Sequence, residues 1–136
     1  MKTFDVQGVE LAAPFDTAFS YISEPRNLPN WARAFKAVSQ GKALLETDNG
    51  AVEVQLLVAA SRERGTIDWI MGFPDGSTAV AYSRVVDIGK NRSIYSFVLL
   101  PPPVPLEQLE GTLAKQSEIL REELAKLRSI LHAGRR

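Results

Sequence analysis

Between residues 36 and 100 the chain never runs more than about a dozen residues without a turn signal. Four tetrapeptides carry these signals: TDNG at 47–50, RERG at 62–65, FPDG at 73–76 and GKNR at 89–92. Each holds a glycine, the residue that takes positive φ without steric cost. The segments between them are short and rich in Val, Ile, Tyr and Trp. Such punctuation leaves no room for a long helix and predicts an antiparallel meander of hairpins, with one or two further strands inside residues 36–47.

The text on either side of this meander is different. Residues 3–12 alternate as a strand, with Phe4, Val6, Val9 and Leu11 on the apolar positions and Gly8 as the place for a bulge. After Pro14, the residues Phe15, Ala18, Phe19 and Ile22 keep the i, i+3, i+4, i+7 spacing of one helical face, and Pro25 stops that helix. Pro29 opens a second short helix, PNWARAF, with Trp31 and Phe35 four apart on one side. At the other end PPPVP (101–105) breaks the sheet. From about 105 to 132 one helix follows, with Leu106, Leu109, Leu113, Leu120, Leu124, Leu127 and Leu131 as its stripe and Glu122 and Lys126 as an i, i+4 pair.

The whole length, 136 residues, suits one domain spanning 1–136. Sixteen basic residues balance sixteen acidic ones, which gives no electrostatic reason to expect nucleic acid or an anionic membrane as partner. There is no cysteine, no apolar run near the length of a membrane span and no uninterrupted apolar stretch at the start. A cytoplasmic protein without stable membrane insertion, monomeric or homodimeric, is the expectation.

The order strand, two short helices, meander, long C-terminal helix, together with VELAAPFDTAFSYISEPRNLPNW, resembles the START-like or SRPBCC superfamily. The residues that carry the resemblance are Ala13-Pro14, Phe19, Pro25, Leu28-Pro29 and Trp31. That superfamily includes polyketide cyclase/dehydrase-type, birch-pollen-allergen-like and lipid-transfer proteins. The resemblance implies an α+β helix-grip fold: a curved antiparallel sheet of six to seven strands around the C-terminal helix, with two short helices after the first strand. It also implies a cavity for an apolar ligand between sheet and helix, with Trp31 near one end. Ordinary core packing would bury Trp31 equally well.

Period-2 alternation assigns the inner face. Val52, Val54, Leu56 and Val58 share one side of their strand, and Ile67, Trp69 and Met71 share one side of the next. Val80, Tyr82, Arg84, Val86 and Ile88 form the aromatic-bearing side of the third, and Tyr95, Phe97 and Leu99 that of the fourth. Arg84 is then either a partner for a ligand anion, with Tyr82 or Tyr95 beside it, or a strand-end residue whose guanidinium reaches water. On the long helix Leu113 and Leu120 flank Gln116 and Ser117, so Gln116 is a candidate hydrogen-bonding handle on an otherwise apolar face. Candidate ligand-binding residues are therefore Trp31, Phe35, Leu56, Trp69, Met71, Tyr82, Arg84, Tyr95, Phe97, Leu113, Gln116 and Leu120.

Most site chemistries are unsupported. The single histidine, His132, falls at the end of the helix, where it reads as a solvated cation. With no cysteine and one histidine there is no zinc ligand set and no nucleophile–histidine pair. No glycine-rich segment has phosphate-binding spacing, and Asp68 and Glu53 alternate outward. No cofactor, metal or catalytic residue is called for. The expected function is binding of a small apolar or amphipathic molecule, lipid-like or aromatic polyketide-like. A cyclase/dehydratase-type enzyme and a protein-interaction or regulatory module are the alternatives.

Overall fold

The computed structural model describes the backbone of residues 3–47, 50–100 and 106–133, with side chains of all of these except 47, 106–111 and 133. The elements in order are β1 (Asp5–Leu11), α1 (Phe15–Ile22), a 3₁₀ turn (Pro25–Asn27), α2 (Leu28–Trp31), β2 (Phe35–Ser39), β3 (Lys42–Thr47), β4 (Gly50–Ser61), β5 (Thr66–Gly72), β6 (Thr78–Gly89), β7 (Arg92–Leu99) and α3 (Leu106–Ala133). The strands make one seven-stranded sheet in the order β1-β7-β6-β5-β4-β3-β2, every pair antiparallel. β1 and β2 are thus the two edges, and α1 and α2 carry the chain from one to the other. The sheet curves around α3, as the helix-grip expectation requires. The PPPVP break and the tip of the TDNG turn lie outside the described residues.

Three of the four expected turns are described in full, and the glycine of each has positive φ: Gly65 at 78°, Gly76 at 90° and Gly89 at 83°. Gly65 has a second reason to be glycine. A Cβ there would sit 2.3 Å from the Val85 carbonyl oxygen, because Val85 N–H donates to Gly65 O across 2.8 Å. The β4–β5 turn is tied down. Arg62 donates to Asp16 Oδ1 (3.0 Å) and Ser20 Oγ (2.8 Å) on α1 and lies over the Phe19 ring.

Three local readings need correction. β1 is in unbroken register with β7, Gly8 opposite Ser96, so there is no bulge. Phe4 and Val6 face solvent, while Asp5 and Gln7 face inward. Their polar groups are answered there, since Gln7 Nε2 donates to Asp5 Oδ2 (2.7 Å) and to the Ser117 carbonyl of α3 (2.8 Å). α2 stops at Trp31, where Ala32 turns to extended backbone, so Phe35 opens β2 instead of closing the helix. The end of α3 is not solvated: Leu131 is buried, and His132 Nε2 accepts from the Ala12 amide at 3.2 Å.

The core joins Leu11, α1 (Ala18, Phe19, Ile22), α2 (Leu28, Trp31), the inner faces of β3–β7 and Leu120, Leu124, Leu127 and Leu131 of α3. Leu113 is buried as well; the side chains of Leu106 and Leu109 lie outside the description. Among the described residues no helix is long and apolar enough to cross a membrane.

Candidate functional site

The inner face of β5 sets the site. Ile67, Trp69 and Met71 point inward, as alternation predicts. Trp69 stands directly opposite Ala81 of β6, and its Nε1 donates to Ser83 Oγ (3.2 Å) and Tyr95 Oη (3.3 Å). Ser83 in turn donates to the Ile67 carbonyl at 2.6 Å. Indole, hydroxyl and phenol satisfy one another below the surface, which fixes the Trp69 ring. Burial pushes the Tyr95 phenol above its usual range, so it stays neutral.

This packing explains why the reading of β6 fails. Ala79, Ala81, Ser83 and Val85 face the interior, and Tyr82, Arg84, Val86 and Ile88 are exposed on the outer face. A ring as large as Trp69 needs small neighbours across the strand pair. The bulkier set on β6 is therefore the outer one. Tyr82 and Arg84 do not line the interior. Arg84 Nε donates to the Arg64 carbonyl at 3.0 Å and braces the β4–β5 hairpin.

Between sheet and α3 lies a cavity of about 100 Å³. Leu28, Trp31 and Ala32 form one wall, Trp69, Met71, Ala81 and Phe97 the floor, Phe35 an edge, and Leu120 and Glu123 of α3 the roof. Six of the expected site residues thus meet here: Trp31, Phe35, Trp69, Met71, Phe97 and Leu120. Tyr95 lies just behind, its ring edge-on to Trp31 and to Phe97 at 6.2 Å. Leu56 is buried in the core outside the lining, and Leu113 faces a groove beside β1. Gln116 is half-buried and does not line the cavity. Two larger grooves, about 650 and 770 Å³, run between β1 and α3. Both open to solvent past Arg121 and Gln7 and could not desolvate an apolar molecule.

Among the described residues Glu123 is the ionisable group of the cavity lining, and the sequence reading did not single it out. It stands seven residues after Gln116, two helical turns along nearly the same face, so the polar interruption noticed at Gln116 enters the cavity at its next repeat. Its Oε2 accepts from the Arg33 amide at 2.6 Å. Burial, against the weaker pull of that hydrogen bond and of the Arg33 charge, pushes its carboxyl up to about 7. The Arg33 guanidinium itself turns outward to Glu122 (3.2 Å), the glutamate expected to pair with Lys126. Trp31 and Glu123 also line an outer cleft of about 390 Å³ with Pro29, Arg33, Glu122 and Lys126. They are the partition between cavity and solvent. Trp31 is buried, and among the described residues its Nε1 has no hydrogen-bond partner.

No protein-family model matches the chain, and no curated protein matches it in sequence. Solved structures do match in fold. The protein XoxI from Bacillus cereus superposes with a TM-score of 0.72 at 11% identity, covering 99% of each chain. The fold is START-like. A START superfamily protein from Mycobacterium smegmatis matches 94% of this chain and 98% of its own at 17% identity and TM-score 0.64. The Zhui aromatase/cyclase from Streptomyces sp. R1128 matches 98% and 93% at 14% identity and TM-score 0.62. At these identities the START-like likeness is one of architecture, not of activity.

Proposed function

We propose that this START-like chain, acting as one domain, binds a small, predominantly apolar molecule in the cavity between Trp31, Trp69 and α3. The observation that carries the reading is a partly open space between sheet and helix, walled by aromatic and aliphatic side chains with one carboxyl at its rim. Tightly packed cores leave few voids larger than a water molecule, and dry apolar cavities of ~150 Å³ take up benzene. A volume of about 100 Å³ is below the ~300–1,000 Å³ of sites for drug-sized ligands. The occupant that fits without rearrangement is therefore no larger than one ring or a short acyl chain. A lipid or a multi-ring polyketide would have to displace the Trp31–Glu123 partition.

Native mass spectrometry of freshly purified protein tests this reading. A small molecule released on unfolding, or saturable uptake of a one-ring compound, is expected. Protein that emerges empty and takes up no such compound contradicts it.

A second reading, a cyclase/dehydratase-type enzyme, is favoured by Glu123 alone. A carboxyl titrating near neutrality beside an apolar pocket can act as general acid and base. The aromatase/cyclase named among the similar structures is consistent with it. Recovery of the bound molecule chemically unchanged after long incubation would favour the carrier.

A further inference from the structure

We infer that the cavity selects neutral molecules bearing a hydrogen-bond-accepting oxygen, bound by the Glu123 carboxylic acid and the Trp31 indole N–H, and rejects carboxylates. This rests on the binding reading above and names its ligand class. Two donors on the partition between cavity and cleft carry it. The first is Trp31 Nε1, buried and without an acceptor among the described residues. An indole nitrogen can only donate, and a buried donor left unpaired is costly unless something supplies the acceptor. The second is Glu123. Its Oε2 is taken by the Arg33 amide, which leaves Oε1 to carry the proton and donate it. Burial that pushes this carboxyl up to about 7 keeps the acid form populated near neutrality.

The charges around Glu123 agree with a neutral ligand. From α3 itself come Glu122 and Lys126, and from the segment after α2 comes Arg33; all three line the outer cleft. Arg33 is committed to Glu122. The sheet residues on the cavity floor, Trp69, Met71, Ala81 and Phe97, carry no charge, and the Tyr95 hydroxyl behind them is bonded to Trp69. Among the described residues no cation lines the cavity to meet a ligand anion. An anion entering there would lose its hydration and face a carboxyl instead.

Three six-membered-ring probes separate the possibilities: cyclohexanone, its isostere methylenecyclohexane, and cyclohexanecarboxylate. Binding to the full chain is read from the indole N–H resonances of Trp31 and Trp69 at pH 6 and pH 8. Cyclohexanone affinity should fall about tenfold between these pH values, following the acid fraction of a group titrating near 7. Methylenecyclohexane should bind with little pH dependence and leave the Trp31 N–H without the downfield shift of a new hydrogen bond. The carboxylate should not bind at pH 8. Glu123→Gln, which still donates but does not titrate, should bind cyclohexanone equally at both pH values. Glu123→Leu should lose the ketone and keep the alkene. If ketone and alkene bind alike, without pH dependence, or the carboxylate binds comparably, the inference is overturned and the cavity reading stands. If none of the three binds, the cavity reading falls and the inference with it.

Discussion

Glu123 is the residue on which the chemistry of the site turns, and sequence alone conceals it. A glutamate at the margin of the apolar stripe of a charged helix is ordinary, and the segment REELAK offers two. Only the approach of the Arg33 amide and the closing of α2 over α3 bury this one. Its folded value of about 7 lies above the unfolded 4.5, so the folded state holds the extra proton between those pH values. Stability associated with Glu123 is thus fully present below pH 4.5 and is lost as pH rises through 7. The loss amounts to about 2–3 kcal/mol after allowance for partial exposure. Between pH 5.5 and 8, which spans only part of that window, urea melts should show wild type losing about 1–2 kcal/mol more than Glu123→Gln. Parallel pH profiles would show that the carboxyl is not desolvated. Trp31, Trp69, Met71 and Phe97 were legible because each keeps a motif position or an inward strand parity. Tyr82 and Arg84 misled because size and aromaticity were taken as marks of the inner face.

At the scale of elements, turns and helix stripes were readable because they depend on local rules: a glycine at positive φ, a proline at a helix start, a 3.6-residue repeat. The inward face of β6 was not, since it depends on what β5 places opposite it. Two packing consequences follow. Leu120→Ala and Leu131→Ala should each cost about 2–5 kcal/mol in denaturant melts, because both leucines are buried against the same core. A cost below about 1 kcal/mol at Leu131 would mean that the last turn of α3 frays from the sheet. Gly65→Ala should destabilise by about 2–3 kcal/mol, since it combines a left-handed backbone with a Cβ driven into the Val85 carbonyl. Gly76→Ala, where φ is also positive but a Cβ meets nothing within 4 Å, should cost less. Equal costs would remove the Val85 contact as the reason for glycine.

For the molecule as a whole, element order was enough to recognise the architecture, and the order β1-β7-β6-β5-β4-β3-β2 around α3 agrees with it. What the order could not supply is the size of the interior. That is the sum of many side-chain volumes, among them two tryptophans that both line a space of about 100 Å³. The outer face of the sheet is also more apolar than alternation suggested, with Leu57, Tyr82, Val86 and Ile88 exposed. The central claim is that the space beneath Trp31 and Trp69 admits an apolar guest. The chain has two tryptophans and both line that space, so their indole N–H resonances report on this site. Titration with benzene tests the claim most directly. The account predicts saturable shifts of both indole resonances with a single shared affinity, while surface amides stay in place. Unmoved indole resonances in a folded protein, up to the solubility of benzene, would contradict it.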